Sequence, residues 1–172
     1  MVRIVCSLTR RLCRRELPRS DMEFIRLHLD EQARFLFMQM DPSDQRHALA
    51  VARTVMAKHG FQPGLPSAPL IQAALLHDAG KVRGDLSFLT RLAVGFLRRF
   101  SPGLQRRLAD REGGPLARAC YVDLHHPARG AYMARTFGVS PEVAALIRAH
   151  HDPPRPGEPK TLTHLREADG GN

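Results

Sequence analysis

Leu75-Leu76-His77-Asp78-Ala79-Gly80-Lys81 is the stretch on which the reading of this chain turns. The apolar run from Leu70 to Leu76 delivers an imidazole and a carboxylate side by side at its end, and Gly80 then permits the chain to turn away. Neighbouring residues on a helix diverge by about 100°. The pair can therefore chelate one ion only at the helix terminus, where the backbone is adaptable. His77 follows Leu70, Ala73 and Ala74 at i, i+3, i+4 and i+7, so it shares their core-directed face. A lone His-Asp dipeptide in a helix is more often an ordinary polar pair, and its weight comes from partners elsewhere.

Those partners follow in order. His47 lies in Asp44-Gln45-Arg46-His47-Ala48-Leu49, one turn before Val51, on the apolar stripe formed by positions 48, 51, 52, 55 and 56 of a helix expected from Gln45 to His59. His126 lies in His125-His126-Pro127-Ala128-Arg129-Gly130-Ala131. Val143, Leu146, Ile147 and His150 repeat the spacing of Leu70 to His77, with His151 about 100° away round the helix. Leu162, Leu165 and Asp169 place a carboxylate on an apolar face, where an unpaired charge is costly. The order H…HD…HPxxGA…HH…AD resembles the HD superfamily of metal-dependent phosphohydrolases across residues 44–169, and the Gly80-Lys81 continuation looks like its HDIG branch.

The resemblance implies an all-α HD-domain helical bundle in which His47, His77, Asp78 and Asp169 hold one ion and Asp78, His126 and His150 a second, with Asp78 as the bridge. So many nitrogen and oxygen ligands exceed one tetrahedral zinc and lack the thiolates of a structural site, which points to two divalent ions, Mn or Fe. The implied activity is that of a metal-dependent phosphohydrolase, as phosphomonoesterase, phosphodiesterase or nucleotide pyrophosphohydrolase, on a phosphorylated small molecule or nucleotide. Asp78 and Lys81 are the candidate catalytic residues. Lys81, Arg129, Arg148 and His151 are the candidate contacts to phosphate oxygens, Lys81 as a compact positive charge within a turn of Asp78. The chain has no Gly-Tyr-Pro signature and carries Ser43 four residues before His47, which argues against the HD-GYP type and a third metal. The alternative is a non-catalytic regulatory module of the same fold that binds nucleic acid, an acidic membrane surface or a protein through basic helices.

Composition fits this picture. The 172 residues, 43% hydrophobic, suffice for one domain, and the candidate helices are rich in Leu, Ala and Arg, all good helix formers. Cys6, Cys13 and Cys120 are odd in number and lack CxxC spacing, which argues for reduced thiols and a cytoplasmic chain, possible peripheral membrane contact aside. Basic residues continue past the short apolar stretch of residues 1–12 with no small-residue cleavage site, so no secretory signal is expected. A net charge of +9 suits an anionic partner, although only Lys58, Lys81 and Lys160 among the 26 basic residues are lysines, a bias that coding alone can produce.

The domain organisation expected is a basic N-terminal arm over 1–20 and a single domain over 21–172, with an insertion at 86–109. Ser20-Asp21 offers a cap for a helix running to about Met40, with Phe24, Leu27, Ala33, Phe35 and Phe37 turned to the body. Residues 60–69 read as a loop, and Pro127 as the first turn of a new helix after one ending near Leu124. In the insertion, Leu89, Leu92, Ala93, Phe96, Leu97 and Phe100 form one face, and Arg91, Arg98 and Arg99 fill the other. That pattern fits a basic helical hairpin packed on the core by its apolar face, a substrate lid, or a contact with an acidic surface. Four prolines make 152–160 a rigid connector, and the chain ends three residues after Asp169.

Overall fold

Leu70, Ile71, Ala73, Ala74, Leu75 and Leu76 are all buried, so the helix that carries them, Ser67–Leu76, is apolar on every side and must lie inside the molecule. The computed structural model describes residues 17–59 and 67–172. Most of the expected arm, with Cys6 and Cys13, and most of the 60–69 loop lie outside the described residues. In chain order the helices are α1 (Arg19–His28), α2 (Glu31–Met38), α3 (Pro42–His59), α4 (Ser67–Leu76), α5 (Phe88–Phe100), α6 (Pro102–Ala109), α7 (Pro115–Thr136), α8 (Pro141–Ala149) and α9 (Lys160–Gly170). The described residues contain no strand, only an isolated antiparallel bridge between Met40 and Val82, and the expected all-α class holds. Around α4 pack α1, α2, α3, α8 and α9, and their buried faces make the main core. A smaller core of Leu86, Val94, Leu97, Ala109, Ala119, Cys120 and Val122 joins α5 and α6 to the first half of α7.

The helix expected from Asp21 to Met40 is two. Leu29 is extended, and the Asp30 carboxylate accepts the backbone N–H of Ala33, an N-cap that starts α2 afresh. The break shifts the helical phase, so Leu27 and Phe35 are exposed while Ile25, Leu29, Ala33 and Phe37 are buried. Gln45, buried near the start of α3, donates its amide to the carbonyls of Phe37, Met38 and Met40 and so caps the end of α2. Met56, expected on the inner stripe of α3, is partly exposed.

Two further corrections concern the elements that frame the site. α7 runs unbroken through Pro127 for 22 residues, because the one helical donor the proline removes, that to the Asp123 carbonyl, is replaced by a side chain described below. Most of the hairpin's expected inner face is turned outwards, Leu97 excepted. Phe88 and Leu89 are each 74% exposed, Leu92 58%, Phe96 61% and Phe100 65%, while Val94 and Leu97 face inwards. The arginines decide the orientation. Arg91 donates both terminal nitrogens to the buried Asp44 carboxylate, each at 2.7 Å, and Arg98 reaches Asp123 at 3.4 Å.

Candidate metal centre

Three histidines, His77, His126 and His150, are buried and share one local device. His77 Nδ1 lies 2.9 Å from the Ala74 carbonyl, His126 Nδ1 2.7 Å from that of Asp123, and His150 Nδ1 2.7 Å from that of Ile147. Each partner is the carbonyl three residues back, and each is free for a structural reason. Ala74 and Ile147 sit in the last turns of α4 and α8, where carbonyls lose their helical donors. Asp123 stands four residues before Pro127, which has no N–H to give. A carbonyl can only accept, so each Nδ1 carries the hydrogen and each Nε2 presents a lone pair, the arrangement that orients metal-binding imidazoles.

The lone pairs converge. His126 Nε2 and His150 Nε2 are 3.3 Å apart with no hydrogen to share. Asp78 Oδ1 is 3.1 Å from His126 Nε2, and Asp78 Oδ2 is 3.7 Å from His77 Nε2. Asp169 reaches in from α9, its Oδ1 2.7 Å from His47 Nε2 and 3.3 Å from His77 Nε2. His77 Nε2 and Asp78 Oδ1 are buried without a well-directed hydrogen bond. Asp78 Oδ1 has the Lys81 ammonium at 2.8 Å, but the facing imidazole lone pairs and the orphaned His77 Nε2 have no such partner and are costly unless a cation lies among them. Ligand atoms fall into three overlapping groups, each within 4.8 Å: His47, His77 and Asp169; His77, Asp78 and His150; and His126, His150 and His151.

Two glycines set the spacing between the halves of the cluster. A Cβ on Gly80 would stand 2.1 Å from the His126 carbonyl oxygen and 2.8 Å from the Gly130 nitrogen, and one on Gly130 would stand 3.0 Å from the Gly80 nitrogen. The turn after Asp78 therefore lies directly against the α7 backbone, bringing His126 to Asp78. Gly80 serves close approach rather than the turn alone, and Gly130 is its counterpart.

Electrostatics favour the ligand forms of His126, His150, Asp78 and Asp169, and the protonated form of His77. Burial, reinforced by the surrounding imidazoles, holds His150 well below the usual histidine range, and burial lowers His126 as well. Burial opposes ionisation of Asp78, yet His77, Lys81 and His126 outweigh it and keep the carboxyl well below its ordinary range. Asp169 is likewise depressed against its own burial, by His151, His47 and His77. For His77 burial is outweighed by Asp78 and Asp169, and its pKa is raised.

All six residues expected as ligands thus come together from five segments. Asp169 lies within a helix that continues to Gly170, and the end is tied down by Asn172, whose amide donates to the Ala168 carbonyl at 2.6 Å and to Thr54 Oγ1 at 3.1 Å. Lys81 donates to Asp78 at 3.0 Å. His151, expected at a phosphate, is also at ligand distance from His126 and His150. Arg148 stands at the edge of the site, whereas Arg129 is drawn away to Asp85 at 3.0 Å, which Arg118 also holds. Beside the cluster opens a cleft of about 480 Å³ lined by Asp44, His47, Asp78, Lys81, Arg98, His151 and Asp169. A second hollow of about 380 Å³ shares Arg98 and His151 with it and adds Arg148, His125 and Leu124. Asp44, Arg98 and Asp123 are not expected as site residues from sequence, where Arg98 reads only as part of the hairpin's basic face. Asp44 has a signal there, three residues before His47, but the arginines become informative only once the hairpin's orientation is known.

Comparison with known proteins agrees with this geometry. A family model described as the HD domain matches residues 45–169. No curated protein and no solved structure matches the chain.

Proposed function

The chain belongs to the HD domain family, which is a superfamily of metal-dependent phosphohydrolases, and from that premise we propose that it hydrolyses a phosphoester or phosphoanhydride bond of a phosphorylated small molecule or nucleotide at a centre of two divalent ions, Mn or Fe. Within the family we assign it to the HDIG type, on the Gly80-Lys81 continuation of the His77-Asp78 pair. The observation that carries the reading is the convergence of backbone-anchored imidazoles on two carboxylates, with His126 Nε2 and His150 Nε2 only 3.3 Å apart.

In this reading His47, His77, Asp78 and Asp169 form one half of the ligand set and Asp78, His126 and His150 the other, with His151 close enough to the second half to complete it. When bound, the ions would supply Lewis acidity, lowering the pKa of water and neutralising charge on the phosphoryl group. The protein's own groups do the rest. Asp78 faces both halves through its two oxygens. Lys81, held on Asp78, offers its ammonium to a phosphoryl oxygen at the cleft wall, where charge grows in the transition state. Arg98 and His151 stand where the cleft meets the second hollow, so a phosphoryl group can lie at the cluster while its leaving group extends toward Arg148. Burial of His126 and His150 keeps both imidazoles neutral, as ligands must be.

The test is a panel of nucleoside mono-, di- and triphosphates, dinucleoside polyphosphates and cyclic dinucleotides, assayed with Mn or Fe added and with metal content measured in parallel. Hydrolysis of at least one member, dependent on metal, is expected. Protein that takes up no metal even when Mn or Fe is supplied would instead favour a non-catalytic module.

A further inference from the structure

The outer face of α5 is unlike the rest of the surface. Phe88, Leu92, Phe96 and Phe100 follow one another at four-residue intervals, Leu89 stands beside them, and all five are exposed. At about 100° per residue they cover a third of the helix circumference, directly opposite buried Val94, with buried Leu97 between Val94 and the edge of the arc. Leu104 on α6 extends the exposed apolar surface past the turn. The charges interleaved with it have one sign. Arg99 falls within the apolar arc, three turns and about 20° on from Phe88, and lies over the Phe100 ring at 5.5 Å. Arg106 and Arg107 are exposed on α6. From Leu86 to Ala109 the chain has no Asp or Glu, and none of these three arginines makes a salt bridge among the described residues.

We propose that this face of the α5–α6 hairpin docks on a lipid bilayer that carries anionic headgroups. Phe and Leu side chains on a convex helix, flanked by arginines that meet phosphate, match a helix lying in the membrane interface with its apolar side sunk to the acyl boundary. A second copy fits worse. A two-fold contact through this face would set its arginines against their own copies, with no acidic residue in the hairpin to pair them. Nucleic acid would match the charge but leave Leu89, Leu92 and Leu104 without a stacking partner. None of the helices described is long and apolar enough to cross a membrane, so the contact is peripheral. The reverse side of α5 carries Arg98 to the cleft, so one helix joins the lipid-facing arc to the candidate site.

The chain contains no Trp, which gives the proposal a clean probe. In the full-length protein, Leu89→Trp is expected to shift its emission to the blue with phosphatidylcholine vesicles containing phosphatidylglycerol, and not with phosphatidylcholine alone. Tyr132→Trp, equally exposed on α7, is expected to stay unshifted with both. Leu92→Ser with Phe96→Ser should weaken flotation with the anionic vesicles by about tenfold or more, with an unchanged circular dichroism melt and metal content. The proposal is overturned if Leu89→Trp shows no shift, if both tryptophans shift alike, or if the double serine variant floats like wild type. It is also overturned if that variant merely converts a dimer into a monomer while neither protein binds vesicles.

Discussion

His77, Asp78, His126 and His150 are polar groups buried at the centre of the bundle, whereas Phe88, Leu89, Leu92 and Phe96 are large apolar groups standing in solvent on its flank. Both regions run against the ordinary cost of burial, and for different reasons. At the centre the cost is offset locally, since each imidazole places one nitrogen on a freed carbonyl and directs the other into a cluster able to hold a cation. On the flank nothing among the described residues offsets it. The helix is held by its arginines through Asp44 and Asp123, and its apolar arc faces solvent, where we propose that a lipid surface covers it.

Glycine substitutions should separate the regions most sharply. Gly80→Ala would force a Cβ to 2.1 Å from the His126 carbonyl oxygen, with backbone on both sides unable to give. It should destabilise the protein by about 4 kcal/mol or more and lower metal uptake. Gly95→Ala meets nothing within 4 Å in the middle of α5 and should stabilise by about 0.5–1 kcal/mol. Denaturant melts of the two variants read both signs, and equal effects would break the contrast. The two sides of α5 supply a smaller difference. Arg91→Ala leaves the buried Asp44 carboxylate unpaired and should cost about 1–3 kcal/mol, while Leu89→Ser on the outer arc should stay within about 0.5 kcal/mol in the same melts.

Most of the centre was legible in the sequence because its signals are local. The i, i+3, i+4, i+7 spacing that ends in His77 or His150 reports which way a side chain points, and two such faces on separate helices must meet if they share a core. The break at Leu29-Asp30 is missed by the sequence reading, although Asp30 three residues before Ala33 is a cap signal inside what reads as one helix. Pro127 misleads, because its usual meaning is a helix boundary, and only the His126 side chain reveals why α7 tolerates it. The hairpin misleads more. α5 has apolar residues on two opposite faces, the outer one larger, and periodicity alone assigns the larger to the core. What fixes the orientation is the pairing of Arg91 and Arg98 with Asp44 and Asp123, partners 47 and 25 residues away in sequence.

The dependence of metal-free stability on pH should be smaller again. His126 and His150 have pKa values lowered from 6.5 by burial, so the unfolded chain binds protons there before the folded one does. Their contribution to stability is present above about 6.5 and lost as pH falls through the lowered values. His77 has its pKa raised, so its contribution has the opposite sign, present below about 6.5 and lost as pH rises. With His28 also lowered by burial, three groups against one predict a lower melting temperature at pH 5 than at pH 7.5 for protein stripped of metal. The depressed Asp78 and Asp169 add their loss only below about pH 3.8. A melting temperature that rises on acidification would show that His77 dominates the cluster.

The account rests on Asp78, whose oxygens face His126 on one side and His77 on the other. Metal content and phosphohydrolase activity, measured together on Mn- or Fe-loaded wild type, Asp78→Ala and Lys81→Ala, test it most directly. Wild type should hold two ions per chain, Asp78→Ala should lose both metal and activity, and Lys81→Ala should keep its metal while losing about 100-fold in kcat/KM. Asp78→Ala retaining full metal content and wild-type activity would contradict the account and place the catalytic centre elsewhere.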